Sequence, residues 1–213
     1  MHNIDTQHIT AIVLAGGQAT RLGRADKGLI ECAGLPLVAH VIARVAPQCG
    51  ALLISANRNH GAYRQFGHPV YGDSVAGHAG PLAGMLTGLQ RMTTEWALVV
   101  PCDMPLVPDD LATRLGAALS DHQAKLAVVH DGTRLQPLCA LAHRSLSDSL
   151  AAFLADDGRA AWRWVDALPH VSVDFSDAAQ CFANANDHQE LARMATVLGD
   201  VATGKRAQGR HAR

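Results

Sequence analysis

Residues 9–15 read Ile-Thr-Ala-Ile-Val-Leu-Ala and run straight into Gly16-Gly17. A short, nearly continuous β-branched and apolar run offers no polar face to water. It predicts a strand buried on both faces, as in a parallel sheet covered by helices. The same kind of run recurs at 51–55, more briefly near 69–72, and from Trp96 to Val100. Further strands are expected near 125–130 and 136–142.

Helical patterns fall between them. Pro36 opens one with Leu37, Val38, Val41, Ile42 and Val45 on a single face. Gly80-Pro81 introduces another through about 92, and Pro108 a third with Leu111, Leu115, Ala118 and Leu119 in register. A helix from Ser145 carries Leu146, Leu150, Phe153 and Leu154, and a last one spans about 187–198 with Asp187 and Glu190 spaced as a capping box. Alternation of this kind predicts an α/β fold: one domain, a Rossmann-like, mostly parallel sheet flanked by helices on both faces. We expect one domain over 8–198, divided at about 107/108 into two halves. Residues 199–213 lose periodicity, gather Lys205, Arg206, Arg210 and Arg213, and read as a disordered tail.

Composition narrows the setting. With 48% hydrophobic and 17% charged residues, the chain can bury a core of its own. A net charge of −1 supplies no global field to recruit nucleic acid or an acidic membrane, so neither is an expected partner. The five cysteines are scattered without a C-x-x-C pair, which favours reduced thiols. Met1 to Thr10 has no positively charged leader pattern, and no apolar run reaches the roughly 18 residues that cross a bilayer. A cytoplasmic location is the expectation. The twelve histidines are dispersed, which argues against a transition-metal site.

The chemistry concentrates in the long loop after the first strand. Gly16, Gly17 and Gly23 leave backbone N–H groups free to approach phosphate oxygens, and Arg21 and Lys27 add positive charge. The order of residues is neither a Walker A loop nor G-x-G-x-x-G. A plain glycine turn with two solvated basic residues is the alternative. Asp103 follows the strand ending at Val100, in a turn stiffened by Pro101 and Pro105. A carboxylate there suits Mg²⁺, which takes one or two protein oxygens plus substrate phosphates, although a turn-forming Asp would look the same. Asp73 could bind nucleotide or close an Asx turn. Gly80 to Gly84 could present helix-start N–H groups to a ligand. The aspartates and glycine of Asp156-Asp157-Gly158 read as a helix-ending turn, and Trp162 and Trp164 as packing residues.

In this order the segments resemble the molybdenum cofactor guanylyltransferases, within a wider nucleotidyltransferase group that includes sugar-nucleotide pyrophosphorylases. The residues that carry the resemblance are Leu14 to Gly17, Arg21 to Gly23, Asp26 to Leu29, Gly80 to Gly84, Pro101 to Pro105, His130 to Gly132 and Phe182 to Asn186. It implies a nucleotidyltransferase domain over 8–198, with a nucleotide-binding half at about 8–107 and an acceptor-binding half at 108–198. GTP and molybdenum-molybdopterin would be its substrates, with the guanine dinucleotide cofactor and pyrophosphate as products. It also implies GTP contacts at Leu14, Ala15, Gly16, Lys27, Asp73 and Asp103, with Mg²⁺ on Asp103. The sequence departs from the family pattern at Arg24, often Gly; at Ser55, usually a nucleotide-contacting Asn; and at Asp187-His188, usually Thr-Pro.

The expected reaction is attack by a pterin phosphate oxygen on the α-phosphorus of GTP. Arg21, Lys27 and Asp103 are the catalytic candidates, and Gly17 joins the phosphate cradle. Asn184 and Asn186 carry donors and acceptors suited to the pterin or its phosphate, or to cap hydrogen bonds. Transient contact with cofactor-delivery or molybdoenzyme-maturation proteins would suit a reactive product. Two other readings remain: a nucleotidyltransferase for a sugar phosphate or other phosphorylated acceptor, and a nucleotide sensor without catalysis.

Overall fold

The computed structural model describes residues 4–15, 18–19, 25–74, 80–122 and 124–202. Gly16, Gly17 and Arg21 lie outside them. A seven-stranded sheet is built from β1 (Ile9–Leu14), β2 (Ala51–Ser55), β3 (Val70–Tyr71), β4 (Trp96–Pro101), β5 (Leu126–His130), β6 (Leu135–His143) and β7 (Val171–Asp174), in the spatial order β7-β5-β6-β4-β1-β2-β3. β3, β2, β1 and β4 pair in parallel, as do β5 and β7. β6 alone runs antiparallel to both its neighbours, β4 and β5. The sheet is therefore mostly parallel, as the apolar runs predict.

All six residues of β1 are buried. Ala11 and Val13 face one core, and Ile12 and Leu14 the other. The first core is closed by α1 (Leu37–Val45), through Val38, Val41 and Val45, and by α4 (Leu111–His122), through Leu111, Leu115 and Leu119. The second is closed by α3 (Pro81–Arg91), through Leu82, Met85, Leu86 and Leu89. On that same side α5 (Ser147–Ala155) adds Leu150 and Leu154, and α6 (Ala161–Asp166) adds Trp164.

The remaining helices are α2 (His60–Arg64) and α7 (His188–Ala202). α7 continues four residues beyond the expected end at 198. The tail expected to be disordered from 199 is thus helical over 199–202, and 203–213 lie outside the described residues. At its start, Asp187 Oδ1 accepts from the N–H groups of Gln189 and Glu190, both at 2.9 Å. The Glu190 carboxylate reaches back to the N–H of Asn186, not to that of Asp187, so the box is one residue wider than expected. The helices α2 and α6 and the strand β7 carry too few residues to show a period in sequence. Trp164 is 1% exposed, whereas Trp162 is 58% exposed and does not pack in the core. Gly158 N–H bonds Phe153 O at 2.9 Å, which makes 156–158 the turn that ends α5.

Helix α3 lies so close to β1 that a Cβ on Gly88 would stand 2.5 Å from Ile12 Cδ1 and 2.7 Å from its Cγ2. Ile12 is itself fully enclosed, so it has nowhere to turn. Gly88→Ala is expected to lower stability by about 1–3 kcal/mol through overpacking, more than its gain in helix propensity of ~1 kcal/mol returns. Urea unfolding monitored by circular dichroism measures this, and an unchanged midpoint would contradict the close contact.

Candidate functional site

Four parallel strands deliver their carboxyl ends to one edge of the sheet. Because buried strands carry few polar side chains along their length, hydrogen-bonding and charged groups collect where they emerge. Ala15 follows β1, Ser55 ends β2, Asp73 follows β3, and Asp103 follows β4. β6 runs the other way, so its beginning, at Gln136, meets the same edge. Together they line a cleft of about 730 Å³, completed by the start of α3 at Gly80, Pro81 and Gly84 and by Asn184.

At the centre of the cleft Lys27 Nζ lies 2.5 Å from Asp103 Oδ2, each side chain only 15% exposed. The same ammonium donates to Asn186 Oδ1, also at 2.5 Å. Asn186 does not line the cleft; it reaches the site through Lys27. The segment is pinned because Ala185 N–H donates to Asp103 O at 2.9 Å and Ala185 is fully buried. The turn after β4 and the segment before α7 thus meet on one cation. Leu14, Ala15, Lys27, Asp73, Asp103 and Asn184 all border the cleft.

Asp26 supplies the footing of Lys27, a role the residue order alone did not reveal. It is 8% exposed, takes hydrogen bonds from Tyr63 Oη at 2.5 Å and Asn59 Nδ2 at 2.9 Å, and lies 3.4 Å from Arg58 Nε. Burial is the main reason the Tyr63 hydroxyl is pushed far above its usual range, so it stays a donor. A Cβ on the next glycine, Gly28, would stand 2.6 Å from Tyr63 Oη and 3.2 Å from Cys102 Sγ, so this packing requires glycine there. Burial likewise raises the Cys102 thiol well above its ordinary value, which makes it a packing group and not a nucleophile.

On the β2–β3 side, Asn57 and Asp73 bond reciprocally: Asn57 Nδ2 donates to Asp73 Oδ2 and Asp73 N–H to Asn57 Oδ1, both at 2.7 Å. Partial burial raises the Asp73 pKa, against the opposing effect of the Asn57 hydrogen bond. Ser55 is 3% exposed and packs under Gly84, where an added Cβ would approach its Oγ to 2.5 Å. An asparagine in this part of the cleft is therefore Asn57, two residues beyond Ser55. Its pairing with Asp73 spans 16 positions, and nothing local signals it.

On the β6 side, the His130-Asp131-Gly132 segment forms a tight turn. Asp131 Oδ1 accepts from the N–H groups of Thr133 and Arg134 at 2.8 and 2.9 Å, and Gly132 sits at φ 91°, where a side chain is disfavoured. Asp131 Oδ2 accepts from Gln136 Nε2 at 2.6 Å. After Gln136 the β5–β6 ladder shifts register until Ala140, so Pro137, with no N–H to give, falls in the bulge.

Among the described residues no group of three His, Cys, Asp or Glu side chains could enclose a metal ion. Asp103 is one carboxylate, and among the described residues nothing donates to its Oδ1. A single carboxylate beside room for phosphates fits Mg²⁺, which keeps water and substrate oxygens in its shell, and does not fit a zinc-type cage. No helix of the described residues is long and apolar enough to cross a membrane.

Burial opposes ionisation of Asp131, but the hydrogen bonds from Arg134 N–H, Gln136 and Thr133 N–H outweigh it and hold the carboxyl below its usual range. A lowered folded-state pKa means that this stabilisation is present above the unfolded value of about 3.9 and is lost as pH falls through the folded one. Asp131→Asn should therefore lower the urea midpoint at pH 7, with the gap to the unmodified protein closing below about pH 4. A gap that persists undiminished in acid would contradict this.

Residues 11–171 match the MobA-like NTP transferase domain. The chain is 43% identical over 190 residues to the molybdenum cofactor guanylyltransferase of Shewanella amazonensis, covering 89% of this chain and 97% of that one. It is 45% identical over 186 residues to the Vibrio cholerae protein of the same name, covering 87% and 91%. Among solved structures, the molybdopterin-guanine dinucleotide biosynthesis protein A of Archaeoglobus fulgidus superposes with a TM-score of 0.74 over 90% of this chain and 99% of that one. At 19% identity that likeness speaks for the fold alone.

Proposed function

The chain belongs to the MobA-like nucleotidyltransferases, and within them to the molybdenum cofactor guanylyltransferases, and we propose that its cleft joins GMP from GTP to the phosphate of molybdenum-molybdopterin. The observation that carries this reading is the order of groups along the sheet edge. Asn57 and Asp73 stand at one end, Lys27 and Asp103 at the centre, and Gln136 at the other. A nucleotide laid over β3, β2 and β1 brings its phosphates to Lys27 and Asp103, and the acceptor meets them from β6.

In the transfer, a phosphate oxygen of the pterin forms a new bond to the α-phosphorus. The bond from that phosphorus to the bridging oxygen breaks, and pyrophosphate leaves with the electron pair. A phosphate monoester is largely anionic near pH 7, so no general base is required. Positioning and charge decide the rate. Lys27 leaves its partners on Asp103 and Asn186 and neutralises the departing pyrophosphate, aided by Arg21. N–H groups at Ala15 to Gly17 hold the phosphate chain. Mg²⁺, when held by Asp103, supplies charge neutralisation at the phosphate oxygens.

Guanine is the base we assign. We place the protein in the cytoplasm, in keeping with five free cysteines, three of them buried. Transient delivery of the product to molybdoenzyme-maturation proteins accords with its reactivity.

Purified protein with Mg²⁺ and intact molybdenum-molybdopterin is expected to release pyrophosphate with GTP and not with ATP. Asp103→Ala and Lys27→Ala should each slow turnover on the order of 10²–10³-fold. Near-normal turnover in either variant would remove that residue from the reaction.

A further inference from the structure

One buried polar side chain of the cleft has no task in the transfer as described. Gln136 is 6% exposed, borders the cleft, and is held by Asp131 at 2.6 Å. An ionised carboxylate only accepts hydrogen bonds, so the NH₂ end of the amide must face Asp131 and the carbonyl end is turned away. Asp131 cannot swing to release it, because Thr133 and Arg134 N–H groups hold its other oxygen. Among the described residues no donor reaches Gln136 Oε1. The result is a hydrogen-bond acceptor of fixed direction in the wall of the cleft.

Its position decides which substrate it meets. β6 lies beside β4, one strand beyond Asp103 and away from β1 and β2. Neighbouring strands stand about 4.8 Å apart, so a molecule whose phosphate rests at Lys27 and Asp103 has its body within reach of Gln136. A carbonyl oxygen repels an anionic phosphate oxygen, which excludes the phosphate itself as its partner. Next to it, Pro137 and Leu138 present apolar surface to the same cleft. An apolar wall with one directed acceptor suits a flat ring carrying N–H groups.

We propose that Gln136 is a specificity residue of the acceptor site, accepting a hydrogen bond from a pterin ring N–H through Oε1, with Asp131 as the positioning residue that orients it. The assignment rests on the transfer reading above. That reading is judged first, on the unmodified protein: no pterin-dependent pyrophosphate release would overturn it and this assignment together.

With release established, the Michaelis constant for molybdenum-molybdopterin and the affinity for GTP are measured separately. Gln136→Leu is expected to raise the pterin constant about 3- to 10-fold, the worth of one neutral hydrogen bond, and to leave GTP affinity unchanged. Asp131→Asn frees the amide to turn and should raise the same constant, yet add nothing in the Gln136→Leu background. The exchanged pair Asp131→Asn with Gln136→Glu restores a donor facing an acceptor and leaves an oxygen toward the cleft. It should recover pterin binding relative to Asp131→Asn alone, which also covers the case in which Gln136→Leu does not fold. An unchanged pterin constant in Gln136→Leu, an equal loss of GTP affinity, or no recovery in the exchanged pair would each overturn the assignment.

Discussion

The contact on which the site depends is the one between Lys27 and Asp103. It joins the loop after β1 to the turn after β4, and through Asn186 it also ties in the segment before α7. Such a pair is weak evidence for stability, since withdrawing two charges from water offsets much of their attraction. Its consequence is functional. A carboxylate and an ammonium are held at the centre of a cleft, and in the proposed transfer an incoming phosphate would compete for the cation and leave the anion to a metal. Asp26 makes this possible from below, as a buried carboxylate whose partners Tyr63, Asn59 and Arg58 fix the backbone next to Lys27.

The sheet explains why these groups meet. Parallel strands covered on both faces hide everything but their ends, and β1, β2, β3 and β4 end on the same edge. A fifth parallel neighbour would have put the end of β6 there. Because β6 is antiparallel, the edge receives its beginning instead, with Gln136 and the turn anchored by Asp131. One side of the cleft, where we propose the acceptor binds, is thus built from a hairpin, and the other, proposed for the nucleotide, from strand ends and the start of α3.

Much of this was legible in the residue order. β1 and β4 announced themselves because a strand buried on both faces can contain little that is polar, and α1 and α3 because a proline opened a one-sided apolar pattern. Asp103 and Lys27 stood out as charges beside glycine or proline turns next to such strands. Other features depended on distant partners. Asp26 and Tyr63 are separated by 37 positions, and Asn57 and Asp73 by 16. Gln136 gains its meaning from a strand register broken by a bulge, which no local pattern encodes. The five-residue α2 and four-residue β7 are too short for periodicity to reveal. Asn184 and Asn186, read as one pair, part company in the structure: one lines the cleft and the other holds Lys27.

The central claim is that one phosphorus atom moves from nucleotide to pterin. It is tested most directly by following radiolabel from GTP carrying ³²P at the α-position, with molybdenum-molybdopterin as acceptor under anaerobic conditions. The account predicts that the label appears in a pterin–guanine dinucleotide, and that γ-label in a parallel reaction leaves in pyrophosphate. Label that stays in GTP, or γ-label released as inorganic phosphate while α-label stays in GDP, would contradict it.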